Sequence, residues 1–314
     1  MTRSIFSAFV LLAACGPVNP RSATPAGRAC VVELPFRLER NKVILPVSVE
    51  DSRPLDLILD TGMAFDGVVV FNPRLRDSIE LTSPMVVQVP GAGDGPPSAA
   101  LMTDSGSFSC GDWSVEDQRV IVLTDPTMLG MPSDGVIGFS LLGHYAVELD
   151  YDSSVLRLHQ PGYVPSDTGW RRVGLWFKDN MIPWTDARVS TRGDTVVDVA
   201  LYIDFASGEA VELMTKPGMK FELPDGLEES HLGTGLSGDI HGHTGRIAWF
   251  ELGGCRFEDV AAVVAPDEVR SKQEGADVVI GNGLLKRFDV VFDYADTSRA
   301  VMWLKPNAHF DDPF

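Results

Sequence analysis

The 314-residue chain contains only four cysteines, Cys15, Cys30, Cys110 and Cys255, and no Cys-x-x-Cys pair. That scarcity argues against a zinc ribbon and against dithiol redox chemistry. Basic residues are also few: 26 Lys and Arg stand against 44 Asp and Glu, a net charge of -18, with no dense basic run. A phosphate-binding surface needs a positive field, so no nucleic-acid partner is expected. Neither of the two glycine-rich stretches ends in the Gly-Lys-Ser/Thr of a phosphate loop. No long stretch carries a 3.6-residue apolar period, and the apolar run from Ile5 to Leu12 is too short to span a membrane.

Hydrophobic residues make up 44% of the sequence, and 30 glycines and 21 prolines divide them into short runs. That pattern predicts an all-β protein, and the length allows two lobes of ordinary domain size. In the first half, strands are expected over 43–49, 55–59, 68–71, 85–89, 98–103, 115–123, 147–149 and 155–158. In the second they are expected over 185–190, 196–203, 210–214, 244–252, 257–264, 290–292 and 300–304. Short helical turns are expected at 141–144 and 284–288, and residues 159–180 read as the connection between lobes.

The two halves are copies. Residues 134–151, DGVIGFSLLGHYAVELDY, align without a gap on 277–294, DVVIGNGLLKRFDVVFDY, and about half the positions are identical. Upstream, Phe108–Asp117 aligns on Phe250–Asp259 at nearly the same offset. Carried further back, that offset sets Leu57-Ile58-Leu59-Asp60 over Leu201-Tyr202-Ile203-Asp204. An aspartate that follows directly on three apolar residues costs free energy to bury unless it gains partners or shifts its pKa. Two such groups related by an internal pseudo-two-fold can be each other's partner.

These residues resemble the aspartic proteases of the pepsin and retropepsin type over nearly the whole chain beyond residue 29. Leu59-Asp60-Thr61-Gly62 is similar to the family's catalytic strand and loop, and Val136-Ile137-Gly138 and Val279-Ile280-Gly281 to the element that threads behind each loop. The resemblance implies a bilobal all-β fold of two homologous barrel-like lobes. It also implies an aspartic-type endopeptidase in which Asp60 and Asp204 share one proton and activate a water against a peptide bond, without cofactor or metal. Thr61 and Gly62 would support the first loop. The second loop departs from the pattern: it reads Asp204-Phe205-Ala206-Ser207, so Phe205 has no hydroxyl to return, and Ser207 is expected to compensate by orienting the Asp204 carboxylate. A substrate-covering flap would fall on Val89–Pro97, with Gly91, Gly93 and Gly95, and its counterpart on Gly233–Gly245; an ordinary hairpin loop is the competing reading. His231, His241 and His243 fit no standard metal set. The alternative to an enzyme is a non-catalytic peptide-binding or scaffold protein with a degenerate second loop. A two-carboxylate glycosidase has less support, because nothing in the sequence resembles a sugar platform.

The first residues, with Arg3 before the apolar run and Leu12-Ala13-Ala14-Cys15-Gly16 after it, read as a signal peptide. The same residues resemble the lipobox of bacterial lipoproteins, which implies cleavage before Cys15 and its acylation. An ordinary cleaved signal with an incidental cysteine is the other reading. The expected organisation is a signal peptide over 1–14, a tether over 15–29, an N-terminal lobe over 30–160, a C-terminal lobe over 161–306 and a tail over 307–314. A monomer with an internal pseudo-two-fold is expected, lipid-anchored in the cell envelope on the periplasmic face of the outer membrane and acting on a peptide or protein substrate. With Cys15 acylated, three cysteines remain, so at least one is expected to be free.

Overall fold

Among the described residues the short apolar runs fold as strands and build three sheets. The computed structural model describes residues 30–79, 81–125, 128, 131–178, 181–270 and 275–314. The segment holding Cys15 and the expected tether lies outside the described residues.

The first half forms an eight-stranded sheet. Its strand order is Arg37–Glu39, Lys42–Val49, Leu55–Leu59, Gly135–Ile137, Gly67–Val70, Trp113–Leu123, Ser98–Cys110 and Met85–Val89. The Lys42–Val49 strand also pairs with Ser98–Cys110, which curls the sheet back on itself. The second half repeats that order in Trp176–Phe177, Pro183–Ser190, Val197–Ile203, Val278–Ile280, Val211–Thr215, Cys255–Pro266, Gly238–Leu252 and Glu228–Gly235. The equivalent extra pairing joins Pro183–Ser190 to Gly238–Leu252. The fold is thus all-β, and the repeat seen in the sequence is a repeat of topology.

A six-stranded sheet joins the halves, in the order Val32–Pro35, Val155–His159, Ala146–Asp150, Phe288–Asp293, Val301–Pro306 and Arg171–Gly174. At its centre the two copies of one repeated segment pair antiparallel, Val147 opposite Phe292, Glu148 opposite Val291 and Leu149 opposite Val290. Glu148 and Val291 are equivalent positions in the sequence alignment, so the pseudo-two-fold passes through that pair.

Leu57, Leu59, Val68, Val70 and Ile137 in one half, and Leu201, Ile203, Val211, Leu213 and Ile280 in the other, belong to one continuous core. Each fully buried aliphatic side chain of this kind contributes about 1.5–3 kcal/mol. Several strands extend beyond the apolar runs that predict them. The 98–103 run continues to Cys110, with register shifts at Thr103, Gly106 and Phe108. Glu228–Gly235 is a strand although its sequence is polar and glycine-rich, because it pairs with residues 238–244. The connection between lobes also contributes a strand, Arg171–Gly174, which adds to the six-stranded sheet. Cys30, Cys110 and Cys255 are all free thiols.

Candidate active site

Each aspartate stands where a buried strand stops. Leu55–Leu59 runs parallel to Gly135–Ile137, and the Asp60 N–H donates to Ile137 O at 2.8 Å, which is the last bond before the chain turns. In the second half Val197–Ile203 runs parallel to Val278–Ile280, and the Asp204 N–H donates to Ile280 O at 2.9 Å. Both chains then fold back onto their own carboxylate. Gly62 N–H donates to Asp60 Oδ1 at 2.6 Å and Ala206 N–H to Asp204 Oδ1 at 2.9 Å. An N–H that points at an ionised carboxylate makes a charge-assisted bond and fixes the rotamer of the acid.

Behind each loop lies the glycine of the apolar-apolar-glycine motif. A Cβ on Gly138 would sit 2.0 Å from Asp60 O, and one on Gly281 would sit 2.6 Å from Ser207 O. The requirement is space rather than conformation, because both glycines have negative φ.

The two loops are tied across the lobes by Thr61, which is fully buried. Its hydroxyl donates to Ile203 O at 2.5 Å and accepts from Phe205 N–H at 3.1 Å. Phe205 sends nothing back. Its ring is fully buried and packs edge-on against Phe292, with centroids 5.4 Å apart. Its carbonyl is held by Asn282 Nδ2 at 2.6 Å, and Asn282 Oδ1 accepts from Tyr151 at 2.7 Å. Ser207, expected from the sequence to orient Asp204, also meets a backbone group of its own loop. Its Oγ accepts the Glu209 N–H at 3.2 Å in a local turn, because the loop folds back over itself immediately after Ala206. Ala206 is not among the residues with positive φ, so alanine is tolerated there without strain.

Asp60 and Asp204 line one cavity of about 590 Å³. Its walls differ between lobes. Ile58, Met63, Val69, Phe71 and Val136 make the first wall apolar, whereas Glu209 and Glu212 stand in the second. Glu212 is the counterpart of Val69 in the parallel registers, and only 2% of it is exposed. Asp60 is half-buried, while Asp204 is 7% exposed. Burial, together with the nearby Asp60 charge, pushes the Tyr294 hydroxyl far above its ordinary range.

Two hairpins roof the cavity. Gly91, Gly93 and Gly95 lie in the turn between Met85–Val89 and Ser98–Cys110, and they meet the turn at Leu236 and Ser237 from the other half. Gly95 N–H donates to Ser237 O at 2.6 Å, Ser237 N–H to Ala92 O at 2.9 Å, and Gly91 N–H to Ser237 Oγ at 3.1 Å. A Cβ on Gly91, Gly93 or Gly95 would lie 2.5 Å from an atom of Leu236 or Ser237, so close contact of the hairpins requires glycine at each.

Residues 45–141 match the family model described as aspartyl protease. The matched segment takes in Asp60, the Gly91–Gly95 turn and Val136-Ile137-Gly138, and it ends before the second repeat begins. At the coarse level it supports an aspartyl protease, hence a hydrolase acting on peptide bonds. No curated protein matches the chain.

Alongside the resemblance to aspartyl proteases, the site holds residues that sequence reasoning missed. Asn282 was legible, since the repeat sets it opposite Phe139 and a polar residue in an apolar slot is a signal. Arg40, Asn41 and Lys42 line the cavity from a turn that no motif marks. Among the described residues no group of three or more His, Cys, Asp or Glu is placed to hold a metal ion. His231 and His241 pack edge-on in the second roof hairpin, and His231 Nε2 lies 3.2 Å from Asp239 Oδ1.

Proposed function

We propose that this protein is an aspartic endopeptidase in which Asp60 and Asp204 act as a dyad on a peptide held between the lobes. The observation that supports this most directly is Thr61. One hydroxyl engages the backbone on both sides of Asp204, at Ile203 O and Phe205 N–H, and so fixes the two aspartate loops against each other over a shared cavity.

In this reading the two acids share one proton, because like charges at close range cannot both ionise. The ionised carboxylate takes a proton from a water as it attacks the scissile carbonyl carbon, and the protonated carboxyl gives its proton to the carbonyl oxygen. The tetrahedral diol collapses when the leaving nitrogen is protonated, and a carboxylic acid and an amine are released. The hydrogen bonds between roof hairpins must part to admit a peptide, and they re-form over it to exclude water.

The test is cleavage of a peptide library from acidic to neutral pH. Asp60→Asn and Asp204→Asn should each lower turnover at least about 10³-fold, with inhibition of the wild type by a statine-type analogue. Retained hydrolysis in either variant would sink the reading. The absence of a hydroxyl at Phe205 favours a second reading, a peptide-binding protein that keeps the cleft without turnover. It predicts analogue binding with no hydrolysis in the wild type.

The N-terminal residues support attachment through an acylated Cys15 at the periplasmic face of the outer membrane, with the monomer as the working unit. Metabolic labelling with a fatty acid should mark the wild type, and Cys15→Ser should release an unlabelled protein.

A further inference from the structure

The two walls of the cavity are built on equivalent strands. In the first half Val69 stands between Ile121 on one neighbouring strand and Val136 on the other. In the second half Glu212 stands between Val263 and Val279 in the same registers. Val69, Val136, Glu212 and Val263 all line the cavity. The second wall thus keeps aliphatic flanks and changes the middle position from a branched alkyl group to a carboxylate. Glu212 and Val69 are each 2% exposed, so the acid lies as deep in its wall as the valine does in the other. A carboxylate set among aliphatic side chains favours a cation or a hydrogen-bond donor over an alkyl group.

The other charged groups facing the cavity are Asp60, Asp204, Glu209, Arg40 and Lys42, so four acids stand against two bases. Both bases come from the turn that opens the Lys42–Val49 strand. Arg40 is exposed, and Lys42 Nζ donates to Ala206 O in the second aspartate loop. An excess of acids in a cleft draws cationic side chains and repels anionic ones.

The pseudo-two-fold that relates Asp60 to Asp204 also relates the Val69 wall to the Glu212 wall. A peptide bond presented to the two aspartates therefore has one wall on each side of it. The peptide lacks that symmetry, so the side chains before and after the bond meet different surfaces. The alkyl stem of a lysine or arginine would pack on Val263 and Ile240, which line the cavity from the second half, with its head on the carboxylate. On the other side Ile58, Met63, Val69 and Phe71 offer only apolar contact.

We propose that Glu212 determines specificity, selecting peptides with lysine or arginine on one side of the scissile bond and an apolar residue on the other. This rests on the endopeptidase reading for cleavage, and on the shared cavity alone for binding.

The probes are statine-type peptide analogues that carry lysine, norleucine or glutamate at one position on either side of the statine, with peptide substrates bearing the same changes. On one side only, the wild type should bind the lysine analogue at least about 10-fold more tightly than the norleucine analogue, and the glutamate analogue least. The kcat/KM values of the matching substrates should follow the same order. In Glu212→Gln the lysine preference should fall to about 2-fold or less, and Glu212→Val, which installs the residue of the first wall, should favour norleucine. Preferences on the other side of the statine should stay as they are. Each variant is scored once its thermal transition shows a folded protein. Equal binding of lysine and norleucine analogues by the wild type, or a lysine preference that survives in folded Glu212→Gln or Glu212→Val, overturns the inference; cleavage of the substrates in that case leaves the endopeptidase reading standing. A lysine preference that these variants abolish, with no substrate cut by the wild type, upholds the inference and removes the endopeptidase reading instead.

Discussion

The Asp60 loop and the Asp204 loop reach the same backbone geometry by different means. In both, the aspartate N–H bonds the strand behind, and the N–H two residues on bonds the carboxylate. In the first loop the next residue is Thr61, which spends its side chain on the opposite lobe. In the second it is Phe205, which spends its side chain on the core. A loop can therefore be held from outside by hydrogen bonds or from beneath by packing, and the carboxylate is presented alike. The difference lies in what supports it, and in exposure, since Asp204 is more deeply buried than Asp60.

That contrast should be visible in stability. Phe205→Ser deletes a fully buried ring and should destabilise by about 3–5 kcal/mol, as cavity-forming substitutions do. Thr61→Val keeps the volume but leaves Ile203 O and Phe205 N–H without their partner, and should cost about 2–3 kcal/mol. Denaturant unfolding of both measures this. Equal small losses would mean that neither side chain carries its loop.

The glycines behind the loops come next. Gly138→Ala should cost about 1–3 kcal/mol, as overpacking against a rigid backbone does. Gly281→Ala should cost less, because its Cβ has 0.6 Å more room, 2.6 Å against 2.0 Å. Thermal melting of the pair checks the order, and a reversed order would show that the loops yield to different degrees.

The smallest effect concerns the aspartates that open the repeated motif. Asp134 pairs with Arg53, which is 59% exposed, whereas Asp277 is 4% exposed between Lys216 at 3.0 Å and Lys220 at 2.7 Å. Burial alone would raise the Asp277 carboxyl, but Lys220, the Ala200 N–H and Lys216 outweigh it and hold it below the ordinary carboxylate range. A depressed folded value gives stability that is fully present above the unfolded value, about 4, and is lost as pH falls through the folded one. Asp277→Asn should therefore cost about 1–2 kcal/mol at neutral pH and flatten the loss of stability below pH about 4. Asp134→Asn should change little beyond about 1 kcal/mol. Denaturation between pH about 2 and 7 distinguishes them.

Much of this molecule is written in local chemistry. Short apolar runs between glycines and prolines determine strands, because alternation and turn residues act over a few positions. The matching aspartates follow from the repeat, which needs no contact information. The polar strand Glu228–Gly235 is not legible in that way, since its own residues do not favour a sheet and only the neighbouring strand recruits it. The same holds for the contact of Ser207 Oγ with the Glu209 N–H, which only the loop's backbone path brings about.

By itself, then, the sequence determined the all-β class, the duplication and the two positions at which a buried strand ends in an acid. Only the tertiary structure decided what surrounds those acids: the roof formed by two hairpins, Glu212 in place of Val69, and the arrival of Lys42 from the other lobe. The physical reason is separation along the chain. Patterning and repetition are properties of neighbours, whereas Lys42 and Ala206 lie 164 residues apart and meet only because two curled sheets are joined through a third.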